Sequence, residues 1–484
     1  MTQVLSVASE AFPLVKTGGL ADVVGSLPGA LAEHDITVTT LLPGYPAVRT
    51  AIGAAPFVHR YADLMGARAQ ILSGWLNGHP LLVLDAPALF DREGGIYGDP
   101  TGIDWHDNWR RFAALSRVAA DLASGAIPNW HFDILHAHDW QAGITPAYLR
   151  YAPGPGSRAP SIMTIHNIAF QGRFDRSIFN FLGLPPQAND INGVEYYGGI
   201  GFLKAGLANA DAISTVSPTY AREIRDPGFG MGLEGLIRAR ASAVSGILNG
   251  IDASVWNPQS DTALAARYAP NDLAKRQINK KAIEAGFGLA PGDGPLFTLI
   301  SRLTWQKGMD VLAGQLDTLV SLGARLAVLG TGEAALESQF RAAAARHPGR
   351  IGVAIGYDEK LSHLLQGGSD AILIPSRFEP CGLAQLYGLA YGCVPVAART
   401  GGLADTIIDA NEAALINDVA TGILFDEVNA DSLADAIRRT VTLFGQKDAW
   451  RQIQQQGMRA DFSWKRVGAR YAELYRKVMR DAAA

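Results

Sequence analysis

The sequence predicts an α/β protein of two Rossmann-like, doubly wound domains, and three observations carry that prediction. The chain has 484 residues, whereas a single hydrophobic core stops growing at roughly 250–300. Short apolar runs alternate with segments of helical period, the pattern of βαβ units around a parallel sheet. The alternation stops over residues 249–295 and then restarts.

In the first array, strand-like runs fall at Val4–Ala8, Ile36–Leu42, Ile134–Ala137, Ser161–Ile165 and Ala212–Val216. Between them, Ala21–Glu33, Trp109–Ala123, Gln141–Tyr151 and Pro218–Arg225 read as helices. The break opens on the turn signal Asn249–Asp252 and carries Pro258, Pro270, Pro291 and Pro295, so it reads as an irregular link. Beyond it, strands are expected at Leu296–Ile300, Ala324–Leu329, Ile351–Ile355, Ala371–Ile374 and Val394–Ala397, and an amphipathic helix at Trp464–Met479. The expected domains are therefore 1–248 and 249–457, with a C-terminal helical tail at 458–484. Ligands of open α/β sheets bind outside the carboxyl ends of the strands, which puts the expected active site in a cleft between the two domains.

Composition narrows the function classes. Hydrophobic residues make up 48% and charged residues 18%, which suits a globular chain with sizeable cores. The formal net charge is −4 and there is no Lys/Arg run, which argues against nucleic-acid and anionic-membrane partners. A neutral polymer or a small molecule is the expected partner. The two cysteines, Cys381 and Cys393, make neither a disulfide framework nor a zinc spacing, and they suit a reducing cytoplasm. The N-terminus lacks the basic start of a signal peptide, and no apolar run approaches the ~20 residues of a membrane span.

Several motifs are set aside. There is no P-loop, no H-E-x-x-H and no D-x-D. Gly230, Gly232 and Gly235 form G-x-G-x-x-G but follow Asp226-Pro227 rather than a strand. Gly330, Gly332 and Ala335 do follow a strand, yet no ribose-binding acid ends the next one, so they read as a tight turn into a helix. His136, His138 and Asp139 resemble a metal cluster; the plainer reading is a strand end with one structural and one cleft-facing polar group. No metal or cofactor is expected.

Five segments carry chemistry. In KTGGLADV, Gly18 and Gly19 open a helix where backbone N–H groups suit an anion, and Lys16 adds a cation. In SRLTWQKGMD, Arg302 and Lys307 follow a strand and are placed to neutralise a diphosphate without a metal. In PSRFEPCGLAQ, Cys381, Gly382 and Leu383 lead into a helix suited to phosphate, and Glu379 precedes it as a carboxylate for positive charge or sugar hydroxyls. In THNIAFQG, His166 and Asn167 follow a strand and face the cleft. In HAHDWQ, Asp139 and Trp140 pair a carboxylate with an aromatic platform.

In this order, KTGGLADV, HAHDWQ, THNIAFQG, SRLTWQKG and SRFEPCGL resemble the bacterial glycogen synthases, kin of the plant starch synthases, over essentially the whole chain. The resemblance implies a GT-B fold, with the C-terminal helix returning to the first domain. It implies transfer of glucose from ADP-glucose to the non-reducing end of an α-1,4-glucan such as glycogen, with retention and no catalytic metal. It assigns Arg302 and Lys307 to the diphosphate, with backbone help from Gly18, Gly19, Gly382 and Leu383. Lys16 sits near the donor phosphate and sugar, His166 and Glu379 near the glucosyl unit, and Tyr357 on the adenine. Asp139, Asn167 and Asn249 position donor or acceptor, and Tyr97 lines the acceptor side. Many retaining GT-B enzymes carry E-x7-E; here Tyr387 stands where the second Glu would be, which leaves the ribose contact unassigned. Rival readings are another retaining transferase, such as a starch synthase paralogue or one building a different glucan, and a non-catalytic glucan-binding or nucleotide-sensing protein. The retention of Lys16, His166, Arg302, Lys307 and Glu379 together disfavours the second.

Overall fold

Strand Thr2–Val7 lies at the centre of a nine-stranded sheet in the computed structural model, which describes residues 1–152, 154 and 158–483. From edge to edge the order is Val244–Gly246, Ala212–Thr215, Ser161–Ile165, Ile134–His138, Thr2–Val7, Ile36–Pro43, His79–Asp85, Ala67–Leu76 and Phe57–Leu64. The first seven are parallel and the last two antiparallel. The antiparallel hairpin turns through Met65 and Gly66, both at positive φ (52° and 77°), which matches the twist of the flanking strands. The sequence expectation assigns no strand to 57–85: Phe57–Leu64 is largely exposed and shows no apolar run, whereas His79–Asp85 carries the buried run Leu81–Leu84 and is missed.

A second sheet has six strands, all parallel, in the order Ile351–Ile355, Arg325–Gly330, Leu296–Ile300, Ala371–Ile374, Val394–Ala398 and Ile423–Phe425. Strand order reverses between Thr2–Val7 and Ile134–His138 in the first sheet, and between Leu296–Ile300 and Ala371–Ile374 in the second. Each reversal opens a crevice at the carboxyl ends of its strands.

The chain divides into two compact units, Met1–Gly250 with Trp464–Ala484, and Ile251–Ser463. Residues 458–463 belong to the second unit rather than to the C-terminal helix. The preceding helix runs to Arg459, and Ser463 bridges to Ile251. The last helix, Trp464–Ala483, joins the first unit by burying Trp464, Val467, Tyr471 and Tyr475 against Val23, Leu27 and Leu31 of helix Gly19–Ala32. The second unit's core gathers around Phe297, Leu326, Val328, Phe340, Val396 and Ile437.

Two local expectations are corrected. Gln141–Tyr151 is two short helices, Asp139–Ala142 and Thr145–Tyr151. Between them Gly143 presses on the backbone of Phe202, whose carbonyl oxygen would lie 2.5 Å from a Cβ there. The link 249–295 holds a twelve-residue helix, Arg276–Phe287, closed by left-handed Gly288. Its buried face includes Arg276, Asn279 and Lys280, and Lys280 pairs with Asp370 at 2.7 Å, so the inward face shows no apolar period. Among the described residues, no helix is long and apolar enough to cross a membrane.

Candidate active site

At the first crevice, Asp139 follows strand Ile134–His138 in a left-handed conformation (φ 54°). This turns its carboxylate back to accept the N–H groups of His166 (2.7 Å) and Asn167 (3.4 Å) at the end of Ser161–Ile165. Burial raises the Asp139 pKa to about 7, against the pull of those two bonds. His166 Nε2 pairs with His138 Nδ1 (3.0 Å), and His138 Nε2 pairs with the Ser6 hydroxyl (3.2 Å). His136 bonds the Tyr475 hydroxyl (2.8 Å) and Thr164 (2.6 Å). Both ring nitrogens of His136 and of His138 are therefore held by protein groups. Among the described residues, no hydrogen bond engages His166 Nδ1. Burial lowers the pKa of His136 and of His166 to about 3 and that of His138 well below its ordinary value, so all three are neutral at neutral pH.

Glu10, three residues past strand Thr2–Val7, shapes the rest of this half-site. Its carboxylate accepts the Thr17 N–H and the Thr17 hydroxyl (2.9 Å), and the Tyr97 hydroxyl donates to it at 3.2 Å. Tyr97 also pairs with Ser9 (2.7 Å). Burial raises the Glu10 pKa, with the Thr17 bonds opposing, and burial together with the Glu10 charge keeps Tyr97 protonated. The clasp fixes the loop that enters helix Gly19–Ala32, whose cap Gly18 is exposed and supplies no side chain. Lys16 reaches Asp22 at 2.8 Å. Trp140 is packed rather than open: Phe112 and Phe174 lie 5.0 and 5.8 Å away. Asn249 sits apart, beyond edge strand Val244–Gly246, with its side-chain oxygen buried and unpartnered.

At the second crevice, Lys307 pairs with Glu379 (Nζ to Oε2, 2.5 Å), and Ser376 donates to the same oxygen at 2.8 Å. Glu379 is buried, and Arg302, just past strand Leu296–Ile300, is exposed. Leu383 caps helix Ala384–Tyr391 without a side-chain bond, leaving its first N–H groups open. Cys381 is buried, and its carbonyl accepts from Gln385 Nε2 at 2.9 Å. Gly402 donates its N–H to the carbonyls of Glu379 (3.1 Å) and Pro380 (3.2 Å). A Cβ on Gly401 (φ 44°) would lie 1.9 Å from the Glu379 carbonyl oxygen, so only glycine lets this loop support the carboxylate. Tyr357, past edge strand Ile351–Ile355, is 74% exposed and bonds Glu359 (2.9 Å). Tyr387, at the place of the missing second Glu, stacks on Trp256 at 3.5 Å. The Gly330–Ala335 turn is filled by its own helix: Glu337 accepts the Gly332 N–H at 2.9 Å.

The structure thus joins the Lys16–Gly19 loop, Tyr97, Asp139, His166 and Asn167 into one cluster, and Lys307, Glu379 and the Cys381–Leu383 segment into another. Glu10, Ser9, Ser376 and Thr400–Gly402 escape the sequence reading. One signal could have found the last of these, because TGGLAD occurs twice, at 17–22 and 400–405, each time entering a helix.

The buried histidines and Asp139 set opposite pH trends for stability. Below the ordinary histidine pKa of 6.5 the unfolded chain takes up protons that the folded His136 and His166 refuse until about pH 3. Their contribution is lost as pH falls, by up to about 1.4 kcal/mol per pH unit for each ring. Asp139 runs the other way: its contribution is complete below 3.8 and is lost as pH rises toward 7. Asparagine tolerates the left-handed backbone, so Asp139→Asn is expected to gain stability relative to the parent between about pH 4 and 7. Calorimetric melting across that range checks this; a difference that does not change with pH overturns it.

Residues 3–239 match the family model described as the starch synthase catalytic domain, and residues 281–456 match glycosyl transferases group 1. A glycogen synthase of Novosphingobium aromaticivorans is 62% identical over 98% of both chains. One from Mesorhizobium japonicum is 58% identical over 99% of both. Among solved structures, the catalytic domain of starch synthase IV from Arabidopsis thaliana, bound to ADP and acarbose, matches with a TM-score of 0.88 and 29% identity over 99% of both chains. Sucrose-phosphate synthase from Thermosynechococcus elongatus shares the fold at a TM-score of 0.62 and 17% identity, covering 100% of both chains.

Proposed function

The chain belongs to the glycogen synthases, glycosyltransferases of GT-B fold, and from that premise we propose that it moves glucose from ADP-glucose to the non-reducing end of an α-1,4-glucan, releasing ADP. The observation that carries this reading is the partly buried Lys307–Glu379 pair at a strand-order reversal, beside exposed Arg302 and an open helix N-terminus. A cation pair and free N–H groups suit a leaving diphosphate, and a carboxylate suits a glucosyl centre that turns positive. The ADP and acarbose of the Arabidopsis relative support the same substrate classes.

Arg302, Lys307, Gly382 and Leu383 hold the diphosphate, Tyr357 stacks on the adenine, and Cys381 contributes backbone. Lys16, Gly18 and Gly19 serve the donor phosphates. His166, neutral and held by His138, offers Nδ1 to the glucosyl hydroxyls. Asp139 holds the His166–Asn167 backbone in place, while Tyr97 and Asn249 serve the acceptor side. Attack proceeds on the face from which ADP leaves, with the departing phosphate as base and Glu379 opposing the positive charge.

Transfer of radiolabel from ADP-glucose to glycogen, with UDP-glucose in parallel, tests the proposal. Label in glycogen from ADP-glucose is expected. Incorporation from UDP-glucose alone, or from neither donor, overturns it.

A further inference from the structure

A cavity of about 960 Å³ lies in the first unit, away from Asp139 and His166. It is bounded by edge strand Val244–Gly246, by Asp211 and Ala212 where the neighbouring strand begins, and by helix Trp464–Ala483. It therefore sits where strand Ala212–Thr215 starts, whereas the catalytic groups follow the ends of strands.

Its lining is strongly cationic, with Arg150, Arg158, Arg240, Arg470, Lys477 and Arg480. Three carboxylates share the wall, Asp211, Glu473 and Asp481. Asp211 is already taken by Arg158, with contacts of 2.6 and 2.7 Å. Arg240 has only carbonyl partners, Leu207 at 2.6 Å and Asp211 at 3.5 Å. Burial lowers its pKa, the Asp211 charge opposes that, and the Arg150 charge lowers it again. Among the described residues, no ion pair engages Arg470, Lys477 or Arg480. The Ser245 hydroxyl, on the same lining, is buried without a hydrogen-bond partner.

This is positive charge in excess of its counterions, held in a concavity, on a chain whose net charge is −4. A nucleic acid or a membrane needs an extended basic face free of carboxylates. A concave site with cations and a few carboxylates instead suits a small molecule, phosphate toward the arginines and hydroxyls toward Glu473 and Asp481. We propose that this cavity binds a phosphorylated small molecule, at a site separate from the donor diphosphate site.

Equilibrium dialysis of radiolabelled inorganic phosphate and of glucose 1,6-bisphosphate, at constant ionic strength, tests this. The parent for the test carries Arg302→Ala and Lys307→Ala, so that those two cations cannot hold the probe. One saturable equivalent is expected on that parent. Adding Arg470→Ala and Lys477→Ala, both at exposed positions, is expected to weaken binding about tenfold or more. Arg480→Gln alone is expected to weaken it less, and unchanged melting temperatures establish that each variant is folded. No saturable binding at millimolar probe overturns the proposal, as does binding that survives both helix substitutions.

Discussion

Glu379→Gln is expected to lower kcat by about a hundred- to a thousandfold while leaving donor affinity within a few-fold. Gln keeps the size of the side chain and can still accept from Ser376, which now donates at 2.8 Å. It loses the negative charge that balances Lys307 at 2.5 Å. In the ground state Lys307 can turn to the donor phosphates instead, so binding is largely preserved. In the transition state the glucosyl carbon gains positive charge, and only the carboxylate answers it. Single-turnover rates and ADP-glucose binding, measured on the same preparation, separate the two effects. An unchanged kcat, or a loss confined to affinity, rejects the role.

Glu10→Ala is the second substitution with a large expected effect. It removes the acceptor for the Thr17 N–H, the Thr17 hydroxyl and the Tyr97 hydroxyl together. The loop carrying Lys16 and Gly18 then loses its anchor, and misplacing a positioning loop by about 1 Å costs on the order of a hundredfold in rate. A fall in kcat/KM of about that size is expected, with Glu10→Gln intermediate because its amide oxygen still accepts. A melting curve close to the parent's would accompany it, since the strands beneath are untouched. Activity within about twofold of the parent would show that the loop holds its shape without the clasp.

What the sequence revealed follows from how each residue acts. Lys307 and Glu379 are legible because polar side chains just past an apolar run, beside a glycine, stand where a parallel sheet binds ligands. Asp139 and His166 are legible because each directly follows a strand. Glu10 is not, because it acts by gripping the backbone of a loop seven residues away, and SEAFPL has no spacing that announces this. Ser376 hides as one more hydroxyl in a turn. Gly401 and Gly402 matter through the carbonyls they press against, which only coordinates reveal, although the repeated TGGLAD was there to be seen. The fold shows the same division. Core strands buried on both faces stand out as apolar runs, whereas Phe57–Leu64 and the polar-faced helix Arg276–Phe287 do not.

The helix at Trp464–Ala483 has a consequence for how the protein is made. Translation delivers Met1–Gly250 before this helix, with the whole second unit synthesised in between. Until this helix leaves the ribosome, Val23, Leu27 and Leu31 lack their cover and His136 lacks the Tyr475 hydroxyl. The first unit therefore waits in an unfinished state with an apolar stripe open to water, while the second, continuous in sequence, can complete itself. A ribosome stalled before this helix emerges would hold a chain whose second unit is folded and whose first unit still exposes that stripe.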